Sequence, residues 1–278
     1  VSQPAGRLPN FLIAGVAKAG TTSMAAHLAE HPAVFMSETK ELHFFDQHYD
    51  RGVEWYTAQF AAADGARVVG EATPTYLTRP HALERMARLL PDARILVMLR
   101  DPVDRAHSLY WWQEHFDGPD FADAARAEMR GEPLGTPPRR FLGDSMYAPG
   151  LRQLYGLYPR ESVHVVLLEE LSADPAATFA GVCRFLEVDD GFVPATLGRV
   201  LNPAFRYRVP AVTAALLAVR AWRWMPFGLA ARIERRNRVR NEYPPLDPGL
   251  RAELRAHFAA DAAAVAELIG RDPSPWWR

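Results

Sequence analysis

The sequence predicts a three-layer α/β domain, with a central, mainly parallel sheet flanked by helices and a helical C-terminal part. Three observations support this. Short apolar runs alternate with helix-period stretches, the pattern of parallel strands joined by crossover helices. The run Ile95-Leu96-Val97-Met98-Leu99 is continuous in large apolar residues between Arg94 and Arg100, as a strand buried on both faces requires. Another apolar run, Leu8 to Val16, leads through small residues into a helical pattern from Thr21 to His31, which Pro32 stops.

The remaining elements follow in order. Ala33 to Met36 reads as a second strand and Val68-Val69-Gly70-Glu71 as a third. Aromatics crowd the stretch from Glu41 to Phe60, with Trp55, Tyr56 and Phe60 spaced for one helical face. Asp101 then Pro102 is an N-cap followed by proline at the first helical position, so a helix should run from there to about His115. Asp117 to Met146, with its Gly, Pro and charge, reads as a mobile loop holding at most a short helix. Val163 to Leu168 is another buried strand and Asp174 to Leu186 another helix; the rest is mostly helical except Asn237 to Pro248. No repeat or linker divides the chain. A single domain over 1–278 is expected, with a variable loop at about 117–144 and a helical region at about 205–278.

Composition narrows the function classes. The formal net charge of -1 argues against a general nucleic-acid binder. Cys183, the single cysteine, lies in an apolar helical pattern and reads as a buried structural thiol. No Cys/His cluster has zinc-ligand spacing, so no metal is expected. No signal-peptide pattern opens the sequence, which points to the cytoplasm. Val209 to Ala231 is rich in Ala, Leu and Trp, but Arg220, Arg223 and Pro226 interrupt it short of a membrane span. A helix packed on the domain or covering an acceptor groove accounts for it. Peripheral membrane contact is the alternative, since Trp222, Trp224 and the nearby arginines suit an interface. The oligomeric state is not legible.

The chemistry begins after the first strand. A strand, a small-residue turn and a helix start make an anion site, because free backbone N–H groups and the helix dipole converge there. Gly15 and Gly20 stand at the separation of the glycines in a nucleotide P-loop, so the site is P-loop-like. A nucleoside-triphosphate loop places lysine directly after the second glycine, where this chain has Thr21; its lysine is Lys18, inside the loop. Lys18 and Lys40 are the only lysines, and both fall in candidate site segments. Farther on, Arg100 closes the central strand and Ser108 follows two turns into the next helix. A guanidinium at a strand carboxyl end can bind phosphate bidentately and the serine can donate to it. Read alone, Arg100-Asp101-Pro102 could equally be a strand-ending charge and a helix cap.

Taken together, KAGTTS at 18–23 and LRDPVDRAHS at 99–108 resemble the two elements that bind 3′-phosphoadenosine 5′-phosphosulfate (PAPS) in the sulfotransferase superfamily. The likeness is to the heparan sulfate sulfotransferase branch and its bacterial members. The resemblance implies that Lys18, Ala19, Gly20, Thr21, Thr22 and Ser23 hold the 5′-phosphosulfate, and Arg100 and Ser108 the 3′-phosphate. Lys40-Glu41-Leu42-His43-Phe44-Phe45-Asp46 is similar to the family segment whose glutamate is the proposed base. Glu71-Ala72-Thr73-Pro74-Thr75-Tyr76 resembles the Glu-x-Thr-Pro-x-Tyr segment. Ser145-Met146-Tyr147 and Val163 to Asp174 resemble later family elements, and Pro244 to Trp276 the C-terminal helix. Two departures stand out. Ala72 replaces a lysine often found there, and no Lys-Gly-Arg loop precedes the last helix. Arg235, Arg236, Arg238 and Arg240 offer charge for the 3′-phosphate instead.

The implied reaction is in-line transfer to a hydroxyl or amine of a glycan, glycolipid or small natural product, releasing adenosine 3′,5′-bisphosphate without a metal. Glu41 would take the acceptor proton, Lys18 would neutralise the leaving oxygen and His43 would orient Glu41 or the acceptor. Tyr147, Arg236 and Arg238 are further donor-side candidates; Lys40, Asp46, Glu71 and Tyr76 are acceptor-side candidates. The bland readings stay open: Glu41 as a helix-start carboxylate, Asp46 as a cap, and His43 as a hydrogen-bonded core residue. A magnesium-dependent kinase or NTPase, or a catalytically silent nucleotide-binding protein, remains the alternative.

Overall fold

Five strands form one parallel sheet because their apolar runs are long enough to bury both faces. They are β1 (Phe11–Gly15), β2 (Val34–Met36), β3 (Val68–Ala72), β4 (Arg94–Leu99) and β5 (Val163–Leu167), in the order β2-β3-β1-β4-β5. Ile95 through Leu99 are wholly buried, as are Phe11 through Ala14, so neither central strand shows a polar face. The computed structural model describes residues 7–114, 120–135, 139–199, 205–207, 236, 238–240, 243–273 and 276. Trp222, Trp224, Arg235, Trp277 and the whole 209–231 segment lie outside the described residues.

Strand order sets where a ligand can sit. From β1 the chain crosses by helix α1 (Thr21–Ala29) to β2 on one side; from β4 it continues to β5 on the other. The adjacent carboxyl ends of β1 and β4 therefore open a crevice, the switch point at which open α/β sheets bind ligands. Helix α1 packs on β1, β2 and β3. Between β2 and β3 lies α2 (Gly52–Ala58), and α3 (Pro80–Leu89) joins β3 to β4.

Beyond β4, α4 (Pro102–Glu114) starts where the sequence predicts: Asp101 Oδ1 accepts from the backbone N–H groups of Val103 and Asp104 at 2.8 and 3.2 Å. The stretch expected to be a mobile loop holding at most a short helix contains a nine-residue helix, α5 (Phe121–Met129), that is packed rather than mobile. Its Phe121, Ala124 and Ala125 are buried with Val103, Ala106, Leu109 and Tyr110 of α4 and with Phe141 and Leu142. The same cluster includes Leu250, Leu254 and Phe258 of the C-terminal helix, so contacts distant in sequence override the Gly/Pro-rich composition. Helices α6 (Ala148–Leu157), α7 (Leu168–Ala173), α8 (Pro175–Leu186) and α9 (Pro248–Ile269) complete the described helices. A short antiparallel pair joins β6 (Phe205–Tyr207), in a stretch predicted to be largely helical, to β7 (Arg238–Arg240), inside the Asn237 to Pro248 stretch excepted from that reading.

Aspartates tie the ends together. Asp174 caps α8, Asp247 caps α9, and Asp261 of α9 accepts from the N–H groups of Tyr147 and Ala148 at 2.8 and 3.0 Å, capping α6 from outside its own helix. Cys183 is fully buried and its thiol is raised to about 11 by burial, as expected of a structural cysteine. Helix α6 approaches the 310 turn after β3 so closely that a Cβ on Gly150 would lie 2.3 Å from the Leu77 carbonyl oxygen. Gly150→Ala should therefore destabilise the fold by about 1–3 kcal/mol or more through overpacking. Urea unfolding would measure it, and an unchanged midpoint would contradict this packing.

Candidate active site

The β1–α1 loop is shaped by two residues in left-handed backbone, Lys18 (φ 71) and Gly20 (φ 86). Gly20 is the N-cap of α1, and a Cβ there would meet Leu168 Cδ1 at 2.9 Å. Gly20 has no side chain to cap α1, and Thr21, Thr22 and Ser23 of its first turn line the crevice. Two arginines of the β4–α4 segment brace the loop through its backbone. Arg100 Nη1 donates to the Lys18 carbonyl at 3.3 Å, and Arg105 Nε to that of Ala17 at 3.0 Å. Arg105 is buried and also donates to Ser145 Oγ at 3.0 Å. It lies inside the LRDPVDRAHS segment, yet nothing local assigns it a task, because its partners are 40 and 88 residues away.

The crevice encloses a cavity of about 630 Å³. One part is lined by Lys18, Gly20, Thr21, Thr22 and Ser23, another by Arg100, Asp104, His107, Ser108 and Tyr243. Leu168, Leu171 and Pro175 form an apolar wall, and His27, Gly198 and Arg199 line it too. Lys18 is lowered to about 8 by burial, with Arg100, Lys40 and Arg105 pushing the same way. Burial lowers His107 to about 4, so it stays neutral and accepts from Trp111 Nε1 at 2.9 Å. Tyr243 is not among the residues expected from the sequence, because nothing around it marks it. It packs edge-on to His107 and is in hydrogen-bond contact with Ser108.

Other expected donor-side residues sit elsewhere. Ala19 is buried within the loop. Tyr147 is buried and donates its phenol O–H to the Arg100 carbonyl at 2.9 Å, so it braces the strand end rather than lining the cavity. Trp276 is buried, its indole donating to Glu169, which in turn accepts from the Asp101 N–H. Arg236 is exposed and outside the cavity lining; the Arg238 side chain lies outside the described residues.

The acceptor-side candidates gather after β2. Lys40 Nζ is 2.8 Å from Glu41 Oε1, and Glu41 Oε2 is 3.7 Å from His43 Nε2. On the other side of the ring, His43 Nδ1 lies 3.1 Å from both Asp46 oxygens, and Thr75 Oγ1 donates to Asp46 Oδ2 at 2.5 Å. The hydrogen bond to Asp46, with the nearby Glu41 carboxylate, raises His43 to about 9. His43, aided by Lys40, holds the Glu41 carboxyl below the usual range. Against the upward push of burial, His43 and Thr75 do the same for Asp46. Glu71 and Tyr76 are buried and hydrogen-bonded to each other. Trp112, on α4, is 49% exposed, and its ring centroid lies 5.8 Å from Lys18 Nζ.

A parallel α/β domain with a glycine-capped helix start and convergent cations at its switch point is suited to binding a phosphate or sulfate group. Comparison with known proteins assigns the family: residues 8–195 match the sulfotransferase domain, and the chain belongs to that family. Over 106 residues it is 37% identical to the membrane-associated sulfotransferase kil1 of Dictyostelium discoideum, covering 37% of this chain. Over 196 residues, 66% of the chain, it is 31% identical to human bifunctional heparan sulfate N-deacetylase/N-sulfotransferase 2. The matched regions span 22% of the length of each of these two relatives. A crystal structure of a sulfotransferase from Alicyclobacillus acidocaldarius superposes with TM-score 0.72 at 29% identity, covering 98% of this chain and 100% of that one. Among the described residues no helix is long and apolar enough to cross a membrane.

The His43 geometry has a pH consequence. Its folded value lies above its unfolded one, so protonation stabilises this segment. That contribution is full below about pH 6.5 and is lost as pH rises through about 9. The ring should titrate near pH 9 by NMR, and Asp46→Asn should bring it down toward the ordinary range. A wild-type ring titrating in that ordinary range would refute the Glu41–His43–Asp46 arrangement.

Proposed function

We propose that the chain transfers a sulfuryl group from PAPS to a hydroxyl or amine of a carbohydrate, glycolipid or small natural product. The observation that carries this is the cavity itself. A glycine-capped helix N-terminus with Lys18 and the Arg100/Ser108 pair are separate anion-binding features on one cavity with an apolar wall. A nucleotide bearing anionic groups on both sides of its sugar and an apolar base fits that layout, and the cavity falls in the range of small-molecule sites. Lys18 and Gly20 to Ser23 would hold the 5′-phosphosulfate, with buried Ala19 shaping their loop. Arg100, Ser108 and Tyr243 would hold the 3′-phosphate. Leu168, Leu171 and Pro175 suit the base. Arg236 and Arg238 remain candidates through the β7 region.

When bound, PAPS supplies the sulfuryl group and departs as adenosine 3′,5′-bisphosphate. Glu41 takes the proton from the attacking oxygen or nitrogen; Lys40 and His43 keep its carboxylate ionised and ready. Protonated His43, fixed by Asp46, orients that carboxylate. Lys18 presents positive charge where negative charge develops. Lys40 stands where it can contact the acceptor, and exposed Trp112 beside Lys18 offers a flat face to a sugar ring. A magnesium-dependent kinase is disfavoured, because Arg100 occupies the strand end where an acidic metal ligand would be needed. The N-sulfotransferase relative supports a glycan acceptor, and the kil1 match supports peripheral membrane contact as a question for liposome binding.

Calorimetry with adenosine 3′,5′-bisphosphate is the direct test. Binding without metal, abolished by Arg100→Ala, is expected; binding of ATP with magnesium in its place would overturn the donor reading. Glu41→Gln should lower kcat by roughly 10²–10⁴-fold while leaving bisphosphate affinity intact. Unchanged turnover would sink the base assignment. Because Lys18 sits at about 8 without ligand, anion binding at higher pH must also bring a proton. Bisphosphate affinity should fall as pH climbs above 8, by up to about tenfold per unit. A flat profile would mean that Lys18 does not meet the anion.

A further inference from the structure

Glu71 is among the expected acceptor-side residues, yet it is 1% exposed and reaches no acceptor. Its carboxylate accepts hydrogen bonds from three hydroxyls. Tyr56 and Tyr76 each donate to Oε1 at 2.9 Å, and Thr73 donates to Oε2 at 2.6 Å. Burial raises its carboxyl while these donors pull it down. A carboxylate accepts and cannot donate, so it dictates the direction of every bond around it. With its proton aimed at Glu71, the Thr73 oxygen is left to accept the His43 N–H at 3.3 Å. The Tyr76 oxygen likewise accepts the Phe45 N–H at 3.5 Å.

Those two N–H groups belong to the segment that presents Glu41 and His43. That segment is held in an unfavourable backbone, with Glu41 at φ 57 and His43 at φ 51, both left-handed without being glycine. Such residues persist only when their surroundings over-determine them. Buried and partly exposed side chains divide the segment: Leu42, Phe44 and Phe45 are buried, while Glu41 and His43 are partly exposed. Phe44 stacks on Tyr56 at 4.2 Å and 8°, and Phe45 packs edge-on against Tyr76, so the two tyrosines that bond Glu71 also clamp the segment's rings. Apolar side chains of similar volume could fill the same core without the cost of burying a carboxylate. A buried acceptor aimed at three hydroxyls has a directional task.

We propose that Glu71 is a positioning residue for sulfuryl transfer: through Thr73 and Tyr76 it holds the Glu41–Phe45 backbone in the conformation that points Glu41 and His43 at the acceptor. This rests on the reading of Glu41 as the base. Glu71→Gln keeps the size but can donate, so it can turn the hydroxyl protons away from their present direction. Three measurements on the full chain test it: adenosine 3′,5′-bisphosphate affinity by calorimetry, His43 ring titration by NMR, and kcat with an accepted acceptor. Unchanged bisphosphate affinity is expected, with the His43 titration falling from about 9 toward its ordinary range. In the same variant kcat should drop by about tenfold to a hundredfold, as for a displaced reacting group. Thr73→Val, which removes both the acceptor for the His43 N–H and one of the three hydroxyls on Glu71, should reproduce the loss and carries the test if Glu71→Gln does not fold. An unmoved His43 titration, an unmoved kcat, or parallel loss of bisphosphate binding would overturn the proposal. Turnover surviving in Glu41→Gln would sink the base reading alone, since the His43 titration reports on the anchor independently of which group takes the proton.

Discussion

Lys18, Arg100 and Arg105 converge on one crevice, and the structure has to hold these like charges together before any anion arrives. Their mutual repulsion adds to burial in lowering Lys18. What holds them is the backbone: each guanidinium donates to a carbonyl of the Lys18 loop, while Tyr147 braces Arg100 from behind. An anion bound in this crevice would offset that repulsion without rearrangement of the charges. Much of the fold serves this point, from the β1–β4 pairing that opens the crevice to the α9 aspartate that caps the helix following Tyr147.

The site has two halves with different supports. The half proposed for the donor is built on the carboxyl ends of β1 and β4 and on the start of α1, elements rigid by burial. The half assigned to the acceptor hangs on the segment between β2 and α2, which has no regular structure over the residues that matter. There a hydrogen-bond network replaces secondary structure as the source of rigidity, with Asp46 and Thr75 holding His43 and the Glu71 cluster holding the backbone. A sulfotransferase of 29% identity shares the fold over nearly the whole chain. On such a shared frame, the segment proposed for the acceptor is supported separately from the proposed donor site, so it can vary without disturbing it.

Sequence patterns carried a large share of this. The buried strands, the Asp101 cap and the helix starting at Thr21 were legible because each depends on residues within a few positions of one another. The loop glycine and the cations at 18 and 100 were legible for the same reason. The packed helix at Phe121–Met129 was not, since its stability comes from α4 and from Leu250, Leu254 and Phe258, more than a hundred residues away. Nor could local pattern tell that Tyr147 braces a strand end, that Arg105 locks the loop, or that Tyr243 joins the cavity.

Glu71 marks the boundary most clearly. Its motif placed it in the neighbourhood of the reaction, and the sequence alone could offer it only as a candidate for touching the acceptor. Tertiary structure put it at the centre of three hydroxyls drawn from α2, the end of β3 and the turn beyond, out of reach of any substrate. Residue type and order determine which strands form, where helices start and which chemistry the chain can hold, because those depend on local periodicity and capping. Which of two similar carboxylates meets solvent and which is buried depends on how distant segments pack, and only the folded chain decides that.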